Sequence, residues 1–544
     1  MKIRVQGPGL LKALGLILLL VLGGMALGET IRHPQFSDDA FITFRIARNL
    51  SQGEGPYFNP GERVQAMTTP LYMLAQAAGA WISGAEVTNV ETALGSVGLV
   101  AIAVLLFCLG RSAPILRGGA LVLPILLFTH FTSILQVKGM EAMWYVALIL
   151  SVALAEARGW RVWVGIGLGL VAATRTEGGL LGMVYLAYFL GGRRLYGRAS
   201  FPWKDLGKIV GLGLLAGLPF LLFVFLAYGS VLPSSVEGKM LQTEGWHSRF
   251  SVELFHYLIS GKPLSWPSPW GALLAILFLQ AALHLPRLKP SPRHYRALVL
   301  PGLFVVCYAG LFCAFDAPYY AWYLFPVKIL LIPYYALVFA GLWRMATGRA
   351  PLDEMQSGEP LSLADTARLR ARWPRVVGMI AFGLSVAYAV AWNQCQIGGA
   401  LRHIASGNPR FLSDHGYRKI GRALGRETGH TGWTFAAAEI GILAYYSGLP
   451  CLDMAGLASP EARDYFLKEP LAAMALRFRP ELYVTAWQPE LTPGETLYDA
   501  NLAREFDEAY RMVESHVPYD MPGARREIRV YVRRGLPWPP PGNL

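Results

Sequence analysis

The chain has 544 residues, a net charge of +13 and a mean hydropathy of +0.37, with 54% hydrophobic and only 16% charged residues. A soluble domain carries about 45–50% apolar and about 25% charged residues, so these values exclude a disordered chain, an ordinary cytosolic enzyme and a basic nucleic-acid-binding protein, and leave a membrane protein. Residues 394–544 hold 17 Lys/Arg and 17 Asp/Glu, so all of the excess positive charge lies in the first 393 residues, where it reads as membrane topology.

A spanning helix takes about 20 mostly apolar residues. In chain order such runs occur near 10–28, 92–110, 118–137, 140–157, 160–176, 178–191, 207–228, 270–285, 297–315, 320–343 and 376–393. The prediction is a polytopic α-helical membrane protein of about 11 spans. The first run, with Lys2 and Arg4 before it, has a cleaved signal peptide as its alternative, but its length and the polytopic chain behind it favour a span. The apolar run at 68–84 is short, and counting it as a span would turn every later basic loop outward. It is read as an interfacial or re-entrant helix within a first outer loop of residues 29–91.

With the N-terminus inside, the inner segments of the first 393 residues hold 22 Lys/Arg against 10 outside. That bias sets the orientation, cytoplasmic N-terminus and outer C-terminal part, and the stretch 346–373 becomes the longest inner loop. Residues 394–544 then form an outer (periplasmic or extracellular) domain. Strand-like pieces TFAAAEIGILAYY, ELYVTAW and REIRVYVRR lie among helix-like stretches at 412–426, 460–477 and 499–515. The mixture predicts a small α/β domain, in which Cys395 and Cys451 are a candidate disulfide pair.

The chemistry gathers on the outer side. Asp38 and Asp39 follow the first span directly, and helical periodicity begins with them: Phe41, Phe44 and Ala47 share one face, Arg45 and Arg48 another. One reading is that Ser37 or Asp38 caps that helix. The other is a general base, which needs a proton-accepting oxygen within reach of an acceptor hydroxyl. Like charges side by side also need a partner. Lys138, Glu141, Arg175, Glu177, Glu237, Lys239, Asp316 and Lys328 fall at outer span ends, and ionisable residues at membrane depth are functional candidates. The plainer readings are an i, i+3 pair for Lys138–Glu141 and a snorkelling side chain for Lys328. Tyr319, Tyr320, Trp322 and Tyr323 suit an interfacial aromatic belt or stacking on a sugar. His33, His130 and His247 show no metal-binding spacing.

The segment DDAFITFRIARNLSQGEGPYFNPGERVQAMTTPLY resembles the first periplasmic loop of bacterial GT-C fold glycosyltransferases, in the group that includes the mycobacterial terminal arabinofuranosyltransferase. GMEAMWY, TRTEGG, YGSVLPSSVEGK and EIGILAYYSGLPCLDMAGL resemble further positions of that group in the same order, so the resemblance runs from about residue 36 to about residue 460. Three positions depart from the pattern: Arg-Thr-Glu-Gly at 175–178 where R-P-E-G is usual, Leu-Pro-Ser-Ser at 232–235 for L-P-N-T, and Val64-Gln65-Ala66 where V-E-G often follows. These bear on substrate identity more than on reaction class.

The resemblance implies a GT-C-like catalytic module over 1–393 and a periplasmic domain over 394–544, in a bacterial inner membrane. It implies a polyprenyl-phosphate sugar donor held in the bilayer and an envelope glycan, lipid or protein as acceptor. The base would be Asp38 or Asp39, with Asp38 preferred as the leading acid of the pair. Lys239, Arg175 and Lys328 would stabilise the leaving phosphate, and Arg45, Glu141, Glu177, Tyr320 and Trp322 would line the substrate. No cofactor is implied with certainty, and two adjacent acids make a weak cation site. A transporter or flippase of lipid-linked sugars is the competing class. Such proteins usually show repeat symmetry and broken midplane helices, whereas here the distinctive charges cluster at outer ends. A catalytically inert envelope scaffold is a second competitor, against which the intact acidic pair argues.

Overall fold

The structure, a computed structural model, describes residues 8–32, 36–112, 120–128, 130–231, 233–241, 249–259, 292–336, 412–466, 468–487, 500–516 and 527–540. The first half is helical: α1 (Pro8–Arg32), α2 (Asp38–Ser51), α3 (Pro70–Ser83), α4 (Val87–Ser112), α5 (Val122–Phe128), α6 (Phe131–Gln136), α7 (Ala142–Arg158), α8 (Arg161–Thr174), α9 (Gly179–Tyr196), α10 (Trp203–Tyr228), α11 (Ser234–Leu241), α12 (Phe250–Ile259), α13 (Pro292–Ala314) and α14 (Ala321–Leu330). After these come α15 (Leu412–Thr428), β1 (Phe435–Ala437), α16 (Gly441–Ser447), β2 (Cys451–Asp453), α17 (Pro460–Arg463), α18 (Leu471–Phe478), β3 (Leu482–Trp487), α19 (Ala500–Ala509), β4 (Tyr510–His516) and β5 (Glu527–Arg533).

Among the described residues three helices are long and apolar enough to cross a membrane, Val87–Ser112, Trp203–Tyr228 and Arg296–Ala314, with shorter apolar stretches at Gly15–Ile31 and Arg161–Thr174. The expected run at 118–137 divides into the short helices α5 and α6, and the runs at 270–285 and 376–393 lie outside the described residues. One flank of α10 carries Leu214, Leu215, Leu218, Leu222 and Leu226, all more than half exposed. So large an apolar surface suits lipid rather than water. The opposite flank packs on α8 through glycines. A Cβ on Gly169 would lie 2.3 Å from the Gly213 carbonyl, and one on Gly165 2.7 Å from that of Ile209. Small residues spaced four apart let helix backbones approach this closely inside a bilayer.

The short run at 68–84 becomes α3. Pro70 begins the helix, and Gly84, in the left-handed region at φ 66°, ends it; both residues fit those termini. The Tyr72 hydroxyl and the Gln76 amide both donate to Glu91 at the start of α4 (2.7 and 2.6 Å), which fastens α3 to the bundle.

The C-terminal part holds a five-stranded sheet in the order β2-β1-β3-β5-β4, in which β2, β1 and β3 pair in parallel and β5 runs antiparallel to its neighbours β3 and β4. Two elements differ from expectation. EIGILAYY is not a continuation of the first strand: it turns into α16, because the strand stops at Ala437 and helix-compatible Leu443, Ala444 and Tyr445 bury one face against α2 and α15. The helix expected over 499–515 ends at Ala509, and 510–516 pairs with β5 as a strand. The stretch 460–477 divides into α17 and α18.

The segment 36–87, loop one, and the C-terminal part share one hydrophobic core. Phe36, Phe41, Phe44 and Phe58 pack with Ile420, Ile442, Leu443, Tyr445 and Leu482. The boundary expected at 393/394 lies outside the described residues. Cys451 is a buried free thiol, and its expected partner Cys395 also lies outside them.

Candidate active site

The loop-one helix α2 is fixed by its polar residues. Arg45 was expected to touch substrate, but it is only 1% exposed. Its guanidinium donates to the carbonyls of Phe58 (2.7 Å), Ala444 (2.5 Å) and Leu449 (2.8 Å). It is a strut between α2 and α16. Asn59 extends the same seam, accepting from the Cys451 N–H (3.1 Å) and donating to its carbonyl (2.8 Å). Buried backbone carbonyls need such donors.

The acidic pair divides its tasks. Ser37 stands at the N-cap of α2 but makes no side-chain cap bond. The Asp38 carboxylate instead accepts from the N–H groups of Gly441 (2.9 Å) and Ile442 (2.8 Å), so it caps α16, some 400 residues away in sequence. Burial first, and then the charge of Glu439, holds the Asp38 carboxyl well above the usual aspartate range, against the pull of those two bonds. Both oxygens are occupied away from the cleft.

Asp39 faces the other way. It lines a cleft of about 450 Å³, counted with its open mouth, together with Thr43, Thr68, Thr69, Glu141, Arg175, Ser235, Lys239, Trp322 and Tyr323. Lys239, from α11, reaches Asp39 Oδ2 at 3.2 Å and sits over the rings of Tyr320 (4.8 Å) and Trp322 (5.2 Å), which are stacked on one another. Burial works against the Lys239 ammonium, yet Tyr323, Asp39 and Tyr320 around it outweigh burial and hold it above the ordinary lysine value.

Beside this pair Arg175 donates to Glu141 (2.6 Å) and Glu177 (2.6 Å) and lies over Tyr145 and Tyr323. Arg175 is 2% exposed. Two carboxylates already match its charge, so it forms a cleft wall with little positive charge to spare. The TRTEGG segment places Arg175 and Glu177 of this triad by leaving α8 at Arg175 in an extended conformation and turning at once through 176–178. Glu177 is not itself in the lining.

Lys328 stands elsewhere. Its ammonium donates to the Ser133 hydroxyl (3.1 Å) and lies over the Tyr257 ring (5.3 Å). It is not part of the cleft lining. Sequence reasoning brought together Asp39, Lys239, Glu141, Arg175, Trp322 and the neighbouring Tyr320. It missed the hydroxyls of Thr43, Thr68, Thr69 and Ser235, and the apolar wall of Ile42, Met67, Met140 and Leu457. The signal was present in the Thr-Thr-Pro and Leu-Pro-Ser-Ser turns. Leu457 is brought in by Asp453, whose carboxylate accepts from the N–H groups of Ala455, Leu457 and Ala458. Among the described residues no three His, Cys, Asp or Glu side chains converge as a metal site.

A helical bundle thus packs against a small α/β part, with a polar cleft at their junction. The chain aligns with the oligosaccharyltransferase AglB of Archaeoglobus fulgidus, solved with an inhibitory peptide and a dolichol-phosphate, over 98% of this chain and 75% of that one (TM-score 0.54, 12% identity). ArnT from Cupriavidus metallidurans, solved with undecaprenyl phosphate, aligns over 97% of this chain and 98% of its own (TM-score 0.47, 15% identity). In sequence, 92 residues are 40% identical to the terminal beta-(1->2)-arabinofuranosyltransferase of Mycobacterium tuberculosis, and they span 16% of this chain and 15% of that protein. Residues 404–531 match a domain family of unknown function, DUF8728. The coarse fold expected from the sequence resemblance, a polytopic helical part followed by a smaller C-terminal part, is the fold shared with AglB.

Proposed function

We propose that this protein is an inverting membrane glycosyltransferase. It moves a sugar from a polyprenyl-phosphate donor to an acceptor hydroxyl of an envelope glycan, lipid or protein at the outer face of a bacterial plasma membrane. Asp39 is the general base. The observation that carries this reading is the Asp39–Lys239 pair, the acid and the cation of one cleft, in a fold shared with an oligosaccharyltransferase solved with a lipid phosphate. The arrangement of about 11 spans, N-terminus inside and residues 394–544 outside, belongs to the same reading.

In the reaction the acceptor oxygen attacks the anomeric carbon and its proton passes to Asp39. The bond from that carbon to the phosphate oxygen breaks, and the lipid phosphate leaves with the electron pair. Lys239, moved from Asp39 to the phosphate when the donor binds, then stands beside the charge developing on that phosphate, where a preorganised cation stabilises the transition state most. Asp38 is a positioning residue that holds α2 against α16.

The test is turnover of a panel of polyprenyl-phosphate sugars, by transfer to extracted envelope acceptors or by slow donor hydrolysis. Asp39→Asn is expected to lower turnover by about 10²–10⁴-fold, the usual worth of a general base, with donor binding retained. Asp38→Asn is expected to lose activity only in proportion to lost folded protein. Wild-type turnover in Asp39→Asn overturns the assignment.

A further inference from the structure

Residues at the N-terminal ends of two helices line the cleft. Thr69 stands at the N-cap of α3, a residue type that normally turns its hydroxyl back on the first-turn N–H groups, yet it makes no such bond. Ser235 lies in the first turn of α11, one turn before Lys239 on the same face. Both residues are 3% exposed and both line the cleft. Among the described residues neither the Thr69 nor the Ser235 hydroxyl oxygen has a hydrogen-bond partner. The adjacent Ser234 hydroxyl, by contrast, is satisfied by the carbonyls of Gln65 and Leu457 (3.1 and 2.9 Å). A buried hydroxyl without a partner is costly and rare in native folds. Two of them in one cleft mark the place of an absent acceptor of hydrogen bonds.

We infer that Thr69, Ser235 and Lys239, with the N-termini of α3 and α11, form a subsite for the phosphate of the lipid-linked donor. Hydroxyl donors, a lysine and positive helix ends are the groups a phosphate oxygen prefers. Arg175 contributes little because Glu141 and Glu177 already hold it, and Lys328 lies apart. Phosphate binding requires Lys239 to exchange Asp39 for a phosphate oxygen, which frees the Asp39 carboxylate when the donor arrives. The inference rests on the transferase reading for the identity of the ligand.

The experiment measures binding of undecaprenyl phosphate, undecaprenol and inorganic phosphate to the detergent-solubilised full chain. Variants are Thr69→Val and Ser235→Ala, with Thr69→Ser and Ser235→Thr as conservative controls. Undecaprenyl phosphate is expected to bind tighter than undecaprenol. Each of the two disrupting variants should weaken the lipid phosphate about 10–150-fold, the range of one hydrogen bond to a charged group. Undecaprenol affinity should stay fixed, and the conservative controls should stay near wild type. Inorganic phosphate competing at the same site would show that the anion alone is recognised, and its failure to compete would show that the lipid is needed as well.

Thermal stability separates this from a structural role. Removing an unpartnered buried hydroxyl should leave the midpoint of the ligand-free protein unchanged or higher, whereas a structural hydroxyl would lower it. Unchanged phosphate affinity in both disrupting variants, or a lowered midpoint with equal loss of undecaprenol binding, overturns the subsite. Failure of wild type to distinguish undecaprenyl phosphate from undecaprenol would instead overturn the transferase reading beneath it.

Discussion

Asp38 and Asp39 are one peptide bond apart, and a helix turns successive side chains by about 100°. That rotation alone sends one carboxylate to the N-terminus of α16 and the other to Lys239. Asn at position 38 can accept one of the two N–H bonds but turns an amide donor toward the other. Asp38→Asn is therefore expected to destabilise the α2–α16 contact by about 1–3 kcal/mol. The pH dependence has a definite sign. The Asp38 carboxyl is held above its unfolded value of 3.8, so the folded state keeps its proton while the unfolded chain loses it. Its contribution is greatest below that value and falls as pH rises toward the folded pKa. The gap in unfolding midpoint between wild type and Asp38→Asn should thus be wider at pH 4 than at pH 7. An equal gap at both would show that Asp38 keeps its charge in the fold.

At the scale of elements, what could be read in the sequence was what depends on near neighbours. The two-faced pattern of α2, the shortness of α3 and the apolar runs of α4, α10 and α13 are local signals, and the structure has helices there. What could not be read depended on distant contacts. EIGILAYY has strand composition, but β1 stops after Ala437 and the tyrosines that follow pack against Phe41 and Phe44 of loop one. The strand at 510–516 exists because β5 pairs with it. The preference for Asp38 as base failed to anticipate a cap supplied 403 residues along the chain, and Arg45 looked available because nothing local occupies it.

The α8–α10 contact is an element-scale feature that was present in the sequence as glycines spaced four apart, Gly165/Gly169 and Gly213/Gly217. Gly169→Leu places a side chain against the Gly213 carbonyl and cannot be absorbed by a rotamer change, since the obstructing atom is backbone. It should lower the unfolding midpoint in detergent by several degrees, consistent with about 1–3 kcal/mol or more of overpacking. Gly211→Leu on α10, with open space around its Cβ, should not. Similar midpoints for the two variants would mean that α8 and α10 do not depend on close approach.

The whole molecule is organised around a seam between chain regions far apart in sequence. Arg45, Asn59 and Asp38 each bind backbone of residues 441–451, and Phe36, Phe41, Phe44 and Phe58 bury their rings in a core completed by the C-terminal part. Loop one therefore has no complete core of its own. The cleft inherits this dependence, because Asp39 rides on α2 and Leu457 on the turn held by Asp453. A chain shortened to residues 1–411 would leave Arg45 with two fewer carbonyl partners, Ala444 and Leu449, or water in their place and would expose four phenylalanines. Its membrane helices lie mostly in the other core, so they should still form. The expected outcome is a protein that inserts and stays helical by circular dichroism but is cut rapidly by protease within residues 36–69, where the full chain resists. It should also fail to bind undecaprenyl phosphate more tightly than undecaprenol, because α2 and the Thr68–Thr69 turn no longer hold their places. Protease resistance of loop one in the shortened chain would mean that the seam is a docking contact between independently folded parts, and the C-terminal part would then be free to move over the cleft during the reaction.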